Sequence, residues 1–169
     1  METEKLLKGK KVLIVDDEPD ILDALTELLS TGMIDRAPTF EKAKELLESD
    51  YYDVAVLDIM GVKGFELLEI AKQKHIPALM LTAHALNKES LKKSAEEGAS
   101  YYVPKEEMGR IAMFVADVIE AKEKGKNPWV RWFERLGGFF DERKNFSGPN
   151  WREQHKKFWD EKLKNLPAI

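Results

Sequence analysis

Several features that would mark a secreted or membrane-spanning protein are missing from this chain of 169 residues. It contains no cysteine, so no disulfide framework is available to it. No apolar run follows a basic amino-terminal start, and no stretch approaches the roughly 18 consecutive apolar residues of a membrane span. Internal repeats and low-complexity tracts are absent as well. These absences give no indication of export or membrane insertion, and we predict a cytoplasmic protein.

The distribution of charge divides the chain near residue 122. Residues 1–121 carry 15 Lys and Arg against 24 Asp and Glu, whereas residues 122–169 carry 12 against 7. A short segment, KNP, follows Gly125 and is typical of a linker. Hydrophobic residues make up 43% of the sequence, which suits one compact domain with a core. We therefore predict a domain over residues 1–124 and an extension over residues 125–169.

Short apolar runs alternate with longer segments of helical periodicity from Lys11 onward. This alternation predicts an α/β fold, in which a doubly wound parallel sheet is covered by helices on both faces. The predicted strands are 12–15, 33–37, 54–57, 78–81 and 101–103, and the predicted helices are 21–29, 40–47, 65–74, 89–97 and 106–124. Thr39 is the predicted amino-terminal cap of the second helix, and Gly98 is the predicted stop of the fourth.

The extension is rich in aromatic residues. It holds all four tryptophans (129, 132, 151 and 159) and five of the eight phenylalanines (133, 139, 140, 146 and 158). Positions 129, 132, 133 and 136 form one helical stripe, and a second stripe runs from Trp151 to Leu163. We predict two short amphipathic helices, the first ended by Gly137 and Gly138 and the second capped by Asn150.

Polar side chains follow the predicted strands at the points where the strands end. Asp16 and Asp17 follow the first strand, and Asp58 follows the third. Thr82 ends the fourth strand, and Lys105 comes just after the fifth. In a doubly wound sheet the ligand site lies beyond the carboxyl ends of the strands, so we expect these groups to share one edge. Three clustered carboxylates repel one another unless a cation joins them, and hard oxygen ligands favour Mg²⁺ over zinc.

Five segments, VLIVDDEPD, DVAVLDIM, GFELL, LMLTAHA and YYVPK, resemble in order and spacing the receiver domain of two-component response regulators, over about residues 10–122. That family has a flavodoxin-like fold, so the resemblance implies a five-stranded sheet of order 2-1-3-4-5. The chain departs from the family pattern twice. The segment IMGVKG brings Gly64 only six positions after Asp58, a shorter loop than is usual, and it lacks proline. Pro104 precedes Lys105, whereas proline usually follows this lysine in the family.

The resemblance also implies a role for each residue of the predicted site. Asp58 would be the phosphoacceptor, because metal and lysine charge can make a carboxylate nucleophilic toward phosphorus. Mg²⁺ would be held by Asp16, Asp17, Asp58 and the backbone carbonyl of Met60. Thr82 and Lys105 would contact the phosphoryl oxygens. Thr82 and Tyr102 would form the switch that responds to phosphorylation.

The function implied by the resemblance is signalling, with phosphoryl transfer to and from the protein itself and no separate enzymatic activity. The expected partners are a sensor histidine kinase or a phosphotransfer protein, a downstream protein target and, as a further option, a second copy of the chain. The extension is shorter than the DNA-binding output domains of the family and shows no helix-turn-helix pattern. We therefore do not expect nucleic acid as a partner, and we expect the output to act through protein contacts.

Three alternatives stay open at the level of sequence. One is a Mg²⁺-dependent phosphohydrolase on a related doubly wound scaffold, although VDDEPD does not supply the D-x-D pattern of such enzymes in register. A second is that the basic, tryptophan-rich tail binds nucleic acid or a membrane surface. The third is that the tail adds only extra core to the predicted receiver.

Overall fold

The structure is a computed structural model that describes residues 2–83, 88–141 and 151–164. Its five parallel strands form one sheet: β1 (Lys11–Val15), β2 (Met33–Ala37), β3 (Val54–Asp58), β4 (Ala78–Thr82) and β5 (Tyr101–Pro104). The strand order is β2-β1-β3-β4-β5, which confirms the predicted sheet. Strand order reverses between β1 and β3, so the carboxyl ends of these two strands flank the expected ligand crevice.

Helices surround the sheet and continue beyond it. Their bounds are α1 (Glu2–Leu7), α2 (Pro19–Leu28), α3 (Phe40–Ser49), α4 (Gly64–Gln73), α5 (Lys88–Glu96), α6 (Ile111–Lys124), α7 (Pro128–Asp141), α8 (Trp151–Gln154) and α9 (Lys156–Lys164). The predicted helix over 106–124 begins instead as a 3₁₀ segment, Lys105–Arg110, before α6. The sequence pattern missed α1, whose single buried residue is Leu7. Within the described ranges, no helix is long and apolar enough to cross a membrane.

The core lies on both faces of the sheet. Every residue of β3 and β4 is buried, as expected for central parallel strands covered on two sides. Helices α3 and α4 pack against each other, and α6 packs against α1 and α2. The predicted ends also agree, because the Thr39 hydroxyl accepts a hydrogen bond from the Lys42 amide at 3.1 Å. Gly98 follows α5 with a φ of +96°, a conformation that glycine adopts readily.

The extension covers the open edge of the sheet at β5. Trp129 Nε1 donates a hydrogen bond to the carbonyl of Ala99 at 3.0 Å, and Trp132 Nε1 donates to the carbonyl of Tyr102 at 2.7 Å. An edge strand leaves backbone groups without a partner strand, and an indole ring supplies a donor together with a large apolar body. Both tryptophans are buried and join the same hydrophobic core as the strands. The extension therefore completes the core of the sheet domain.

A polar network ties α7 to α6 and β5. The guanidinium of Arg135 pairs with the Asp117 carboxylate through Nε at 2.5 Å and Nη2 at 3.1 Å. The Tyr101 hydroxyl donates to the same carboxylate at 2.8 Å. Burial and the neighbouring Asp117 charge raise the pKa of Tyr101, so this hydroxyl keeps its proton. A bidentate arginine pair of this kind fixes orientation as well as distance.

The predicted end of the first extension helix at Gly137 and Gly138 is wrong, because α7 continues to Asp141. Tertiary contacts explain the continuation. A side chain built on Gly137 would lie 2.5 Å from Nη2 of Arg152, so the glycine makes room for α8. Phe140, one turn further on, is buried against Trp132 at a ring separation of 5.4 Å. Glycine lowers helix propensity by about 1 kcal/mol, and burial of such aromatic residues exceeds that cost.

The second extension helix is divided into α8 and α9 by a turn at His155, where one continuous stripe was predicted. The turn brings the rings of Trp151 and Trp159 to 5.9 Å from each other. In an unbroken helix, residues eight apart are separated by about 12 Å along the axis. The break therefore lets both rings join one aromatic cluster. The predicted cap Asn150 lies outside the described residues.

Candidate functional site

Three carboxylates converge at the carboxyl edge of the sheet, as the sequence predicts. Asp16 and Asp17 follow β1, and Asp58 ends β3, in a register that pairs Val15 with Leu57. Carboxylate oxygens of the three aspartates lie within 4.8 Å of one another. A pocket of about 160 Å³ opens beside Asp17 and Asp58. Such a concentration of negative charge attracts a cation.

The electrostatics of Asp58 reflect its position at the end of a buried strand. Its side chain is almost wholly buried, with 4% of the residue exposed. Burial, followed by the negative charge of Asp16, raises the pKa of Asp58 to about 7, and the ammonium of Lys105 acts in the opposite direction. The ionised form of this carboxylate is therefore costly unless positive charge is supplied nearby.

Lys105 supplies part of that positive charge. Its ammonium Nζ lies 2.9 Å from Asp16 Oδ2 and 3.4 Å from Asp58 Oδ1. Burial alone would lower the pKa of Lys105, but hydrogen bonding to Asp16 and the charges around it raise the value overall. Glu18 Oε2 lies 3.6 Å from the same ammonium, a contact that the sequence pattern did not single out. Its signal was the third acid in the run DDE.

Thr82 brings a buried hydroxyl to the same edge. The residue is 1% exposed, and its Oγ1 has no hydrogen-bond partner within residues 2–83, 88–141 and 151–164. A buried hydroxyl without a hydrogen-bond partner lowers the stability of the folded protein by about 1–3 kcal/mol. A ligand oxygen that accepts a hydrogen bond from it would remove this penalty. The orphaned hydroxyl therefore suits a ligand that carries oxygen atoms, such as a phosphoryl group.

The loop after β3 presses closely on the site. Met60 lines the pocket and is 55% exposed. Gly61 has a φ of +79°, and a Cβ added to it would lie 2.6 Å from Oδ2 of Asp17. Lys63 is also left-handed, with a φ of +55°. The shortened loop thus places its backbone directly against the Asp17 carboxylate, an approach that only glycine permits.

We expect Gly61→Ala to weaken Mg²⁺ binding by about tenfold or more, because the added methyl group must displace Asp17 or the loop. Gly9→Ala is the matched control, since Gly9 also has a positive φ of +77° but nothing within 4 Å of its Cβ position. Both variants carry the cost of a left-handed alanine, about 1 kcal/mol. Titration calorimetry with Mg²⁺ separates them. Equal Mg²⁺ affinities for the two variants would show that the close contact between Gly61 and Asp17 does not affect metal binding.

Tyr102, the predicted switch residue, is buried in β5 and contacts the extension. Its hydroxyl hydrogen-bonds Ser90 Oγ at 3.1 Å, and its carbonyl accepts the Trp132 indole. Its ring centroid lies 5.8 Å from that of Phe140. The sequence pattern placed Tyr102 three residues before Lys105 but did not indicate these partners, which lie 12 positions earlier and 30 and 38 positions later in the chain.

The donor set fits Mg²⁺. The cluster offers carboxylate oxygens, and within residues 2–83, 88–141 and 151–164 no histidine joins it, while the chain has no cysteine; zinc would favour both. The residues that would hold the ion are Asp16, Asp17 and Asp58, with the Met60 carbonyl from the loop that lines the pocket. All the residues predicted for the site are thus brought to one edge except Tyr102, which lies beneath the extension.

The chain is similar to known proteins in sequence and in fold. The model of the response regulator receiver domain matches residues 12–114. The heme response regulator HssR of Staphylococcus aureus is 45% identical over 76 residues, which are 42% of this chain and 34% of that protein. The chain thus matches about a third of the length of such curated relatives.

Solved structures show the same fold. A CheY-like receiver domain protein from Methanospirillum hungatei JF-1 has a TM-score of 0.62 at 26% identity, covering 69% of this chain and 98% of that one. The BeF3-activated receiver domain of DrrB has a TM-score of 0.54 at 26% identity, covering 75% and 99%. With its sheet order, its carboxylate edge and a family match over most of its length, the chain belongs to the response regulator receiver domain family.

Proposed function

We propose that this receiver accepts a phosphoryl group on Asp58 in a Mg²⁺-dependent reaction and signals through protein contacts. Membership of the family implies phosphorylation-dependent two-component signalling. The observation that carries the finer assignment is the convergence of three carboxylates with Lys105, whose ammonium lies within 3.4 Å of both Asp16 and Asp58. Asp58 is the acid that ends the central strand β3 at the pocket.

The proposed chemistry uses the residues of this edge in turn. An oxygen of Asp58 attacks the phosphorus of the donor, and the bond from phosphorus to the donor's leaving group breaks. Bound Mg²⁺ supplies charge neutralisation for the transferring group. Lys105 turns from the aspartates toward the new phosphoryl oxygens, and the orphaned hydroxyl of Thr82 donates to one of them. These bonds exist only in the phosphorylated form, and they bias the protein between two states.

The proposed phosphodonor is a sensor histidine kinase or a phosphotransfer protein, and a small acyl phosphate is a substitute in vitro. Response regulators as a family act between such donors and downstream targets. The phosphorylated chain signals by contacting a downstream protein target. Self-association as a dimer stays a prediction, which solution mass with and without a phosphoryl mimic tests.

We assign residues 1–124 to the receiver and 125–169 to an extension that responds to the switch. Gly125, with a φ of +63°, ends α6 at that boundary. The contacts of Tyr102 support a response of the extension to phosphorylation. The Tyr102 carbonyl accepts a hydrogen bond from the Trp132 indole, and the Tyr102 ring packs against Phe140. Movement of the Tyr102 ring on phosphorylation would disturb its packing on Phe140, and a shift of the β5 backbone would disturb the Trp132 hydrogen bond. The extension would then shift or expose the β5 edge.

The alternative functions have less support. The tail tryptophans at positions 129, 132, 151 and 159 are between 0% and 3% exposed, so they present no face for stacking on bases or entering a membrane surface. A phosphohydrolase on a related scaffold would carry a D-x-D pattern after its first strand, and VDDEPD after β1 does not supply that pattern in register. No separate enzymatic activity is therefore proposed.

Treatment with a small acyl phosphate tests the proposal. We expect the intact mass to rise by one phosphoryl group in the presence of Mg²⁺ and to stay unchanged in a chelator, because the uncompensated carboxylates repel an anionic donor. A phosphohydrolase would instead release inorganic phosphate over many turnovers without a lasting mass increase. An equal mass increase with and without Mg²⁺ would contradict the metal requirement.

A further inference from the structure

A second pocket, of about 370 Å³, lies at the opposite end of the sheet from the carboxylates. Pro77 and Ser100, which precede β4 and β5, form its wall, and the linker after α6 forms its rim. Its floor is apolar, with Ile76, Val118 and Ala121 among the lining residues. Pockets that bind small molecules commonly combine such a floor with a few polar groups.

Basic side chains line this pocket. They are Lys72, Lys122, Lys126 and His75, and no acidic residue lines it among those that the structure describes. This is notable because residues 1–121, which supply most of the wall, carry 15 basic against 24 acidic side chains. The local charge is therefore opposite to that of the surrounding domain, and the pocket concentrates anions.

An adjoining pocket of about 270 Å³ shares Gly98, Ser100 and Pro128 with the first and adds Lys162 from α9. Lys162 Nζ donates to the carbonyl of Ala95 at 2.9 Å. Within the described ranges, neither Lys162 nor Lys72 forms an ion pair with a carboxylate. Burial and the positive charge of Lys72 lower the pKa of Lys162. The extension thus holds a half-buried cation beside a second cation.

The end of α4 positions one of the lysines at the rim of the pocket. His75 has a φ of +60° at the end of α4, a position that glycine usually fills. Its amide donates to the carbonyl of Lys72 at 3.0 Å, and its own carbonyl accepts Lys122 Nζ at 2.7 Å. A left-handed residue other than glycine costs about 1 kcal/mol. The Ile76 amide donates to the carbonyl of Ala71 at 2.9 Å, so the left-handed residue is the cap that ends α4, and its carbonyl holds Lys122 at the pocket.

We propose that this pocket, together with the adjoining one, binds a small phosphate-bearing molecule. Lys72 and Lys126 from the first pocket and Lys162 from the second contact the phosphate oxygens, and the apolar residues of the first pocket accept the body of the ligand. The volume of about 370 Å³ and the mixture of apolar and basic lining residues favour a small molecule over a membrane surface. Because the walls come from both the receiver and the extension, an occupied pocket would hold the two together.

Inorganic pyrophosphate is the probe, titrated calorimetrically in buffer without Mg²⁺, where the aspartate edge repels anions. We expect Lys72→Gln and Lys162→Gln each to weaken binding by about tenfold or more, the value of one charge-assisted contact. Lys42→Gln is the control and is expected to bind as the wild type does. Lys42 lies in the first turn of α3, at the sheet end that carries the aspartates. Lys72→Arg keeps the charge and is expected to retain binding.

Amide NMR shifts locate the site, with the largest changes expected at Gly98, Ser100 and Gly125. Lys72 is exposed, so its variants keep the test valid if replacement of Lys162 unfolds the extension. Absence of binding by the wild type at millimolar pyrophosphate would overturn the proposal, as would equal affinity in the Lys72→Gln and Lys42→Gln variants. Vesicles containing phosphatidic acid form a second arm. Binding to vesicles without binding to pyrophosphate would replace the small molecule by a lipid surface.

Discussion

Asp58→Asn is expected to abolish phosphorylation of the protein by a small acyl phosphate in Mg²⁺. The amide has the shape of the carboxylate but is not nucleophilic, and it removes one anionic ligand from the proposed metal site. Intact mass spectrometry measures the result. Asp53→Asn is the matched control, because Asp53 stands at the other end of β3, where its Oδ2 accepts the Lys11 amide at 2.8 Å. A phosphoryl group on the Asp58→Asn variant would show that another residue is the acceptor.

The loss of phosphorylation should not come from unfolding. The pKa of Asp58 is raised to about 7 by burial and by Asp16, so the folded protein is destabilised by the ionised carboxylate as pH rises through that value. Asparagine removes this buried charge. We therefore expect Asp58→Asn to unfold at the same temperature as the wild type or higher when both are measured at pH 8 without Mg²⁺.

Phosphorylation is also expected to change the tryptophan emission of the protein. All four tryptophans lie beyond residue 122, so intrinsic emission reports the extension alone. Trp132 contacts the switch directly through its 2.7 Å hydrogen bond to the Tyr102 carbonyl. Spectra are compared in Mg²⁺ with and without beryllofluoride, a stable mimic of the phosphoryl group. We expect a shift in wavelength or intensity in the wild type, because Tyr102 moves relative to the rings packed on it.

Two variants show where an emission change originates. Asp58→Asn is expected to show none, since it lacks the acceptor. Trp132→Phe keeps an aromatic ring against Phe140 but cannot donate to Tyr102, so we expect a smaller response from the remaining three tryptophans. Identical wild-type spectra with and without the mimic, together with unchanged protease cleavage near Gly125, would show that the extension does not respond to phosphorylation and only adds to the core.

Much of the fold could be predicted from local patterns. Val54 to Leu57 read as a strand buried on both faces, and the structure buries every residue of β3. Once parallel strands were assigned, the rule that their carboxyl ends share an edge brought Asp16, Asp17 and Asp58 together without any knowledge of contacts. Thr39 acts through its own hydroxyl on an amide three residues away, and Gly98 acts through its own backbone conformation, so both could be predicted from local sequence.

The features that escaped prediction depend on partners distant in sequence. Glycine at position 137 is typical of a helix end, yet α7 continues through it. Its missing side chain instead leaves room for Arg152, a contact that local sequence does not show. Gly61 gave no sign that it lies against Asp17, because that contact joins two different loops. The aromatic stripe of the extension was evident, but its use of an indole N–H to satisfy the β5 edge requires knowing which edge is open.

The position of the phosphoryl group in the labelled wild-type protein tests the central claim most directly. The protein is treated with acyl phosphate in Mg²⁺, digested under conditions that preserve the acyl phosphate, and fragmented by tandem mass spectrometry. We predict a single modified residue, Asp58, in the peptide that contains DVAVLDIM. Modification of Asp16, Asp17 or a residue outside the carboxylate edge would contradict the assignment of the site.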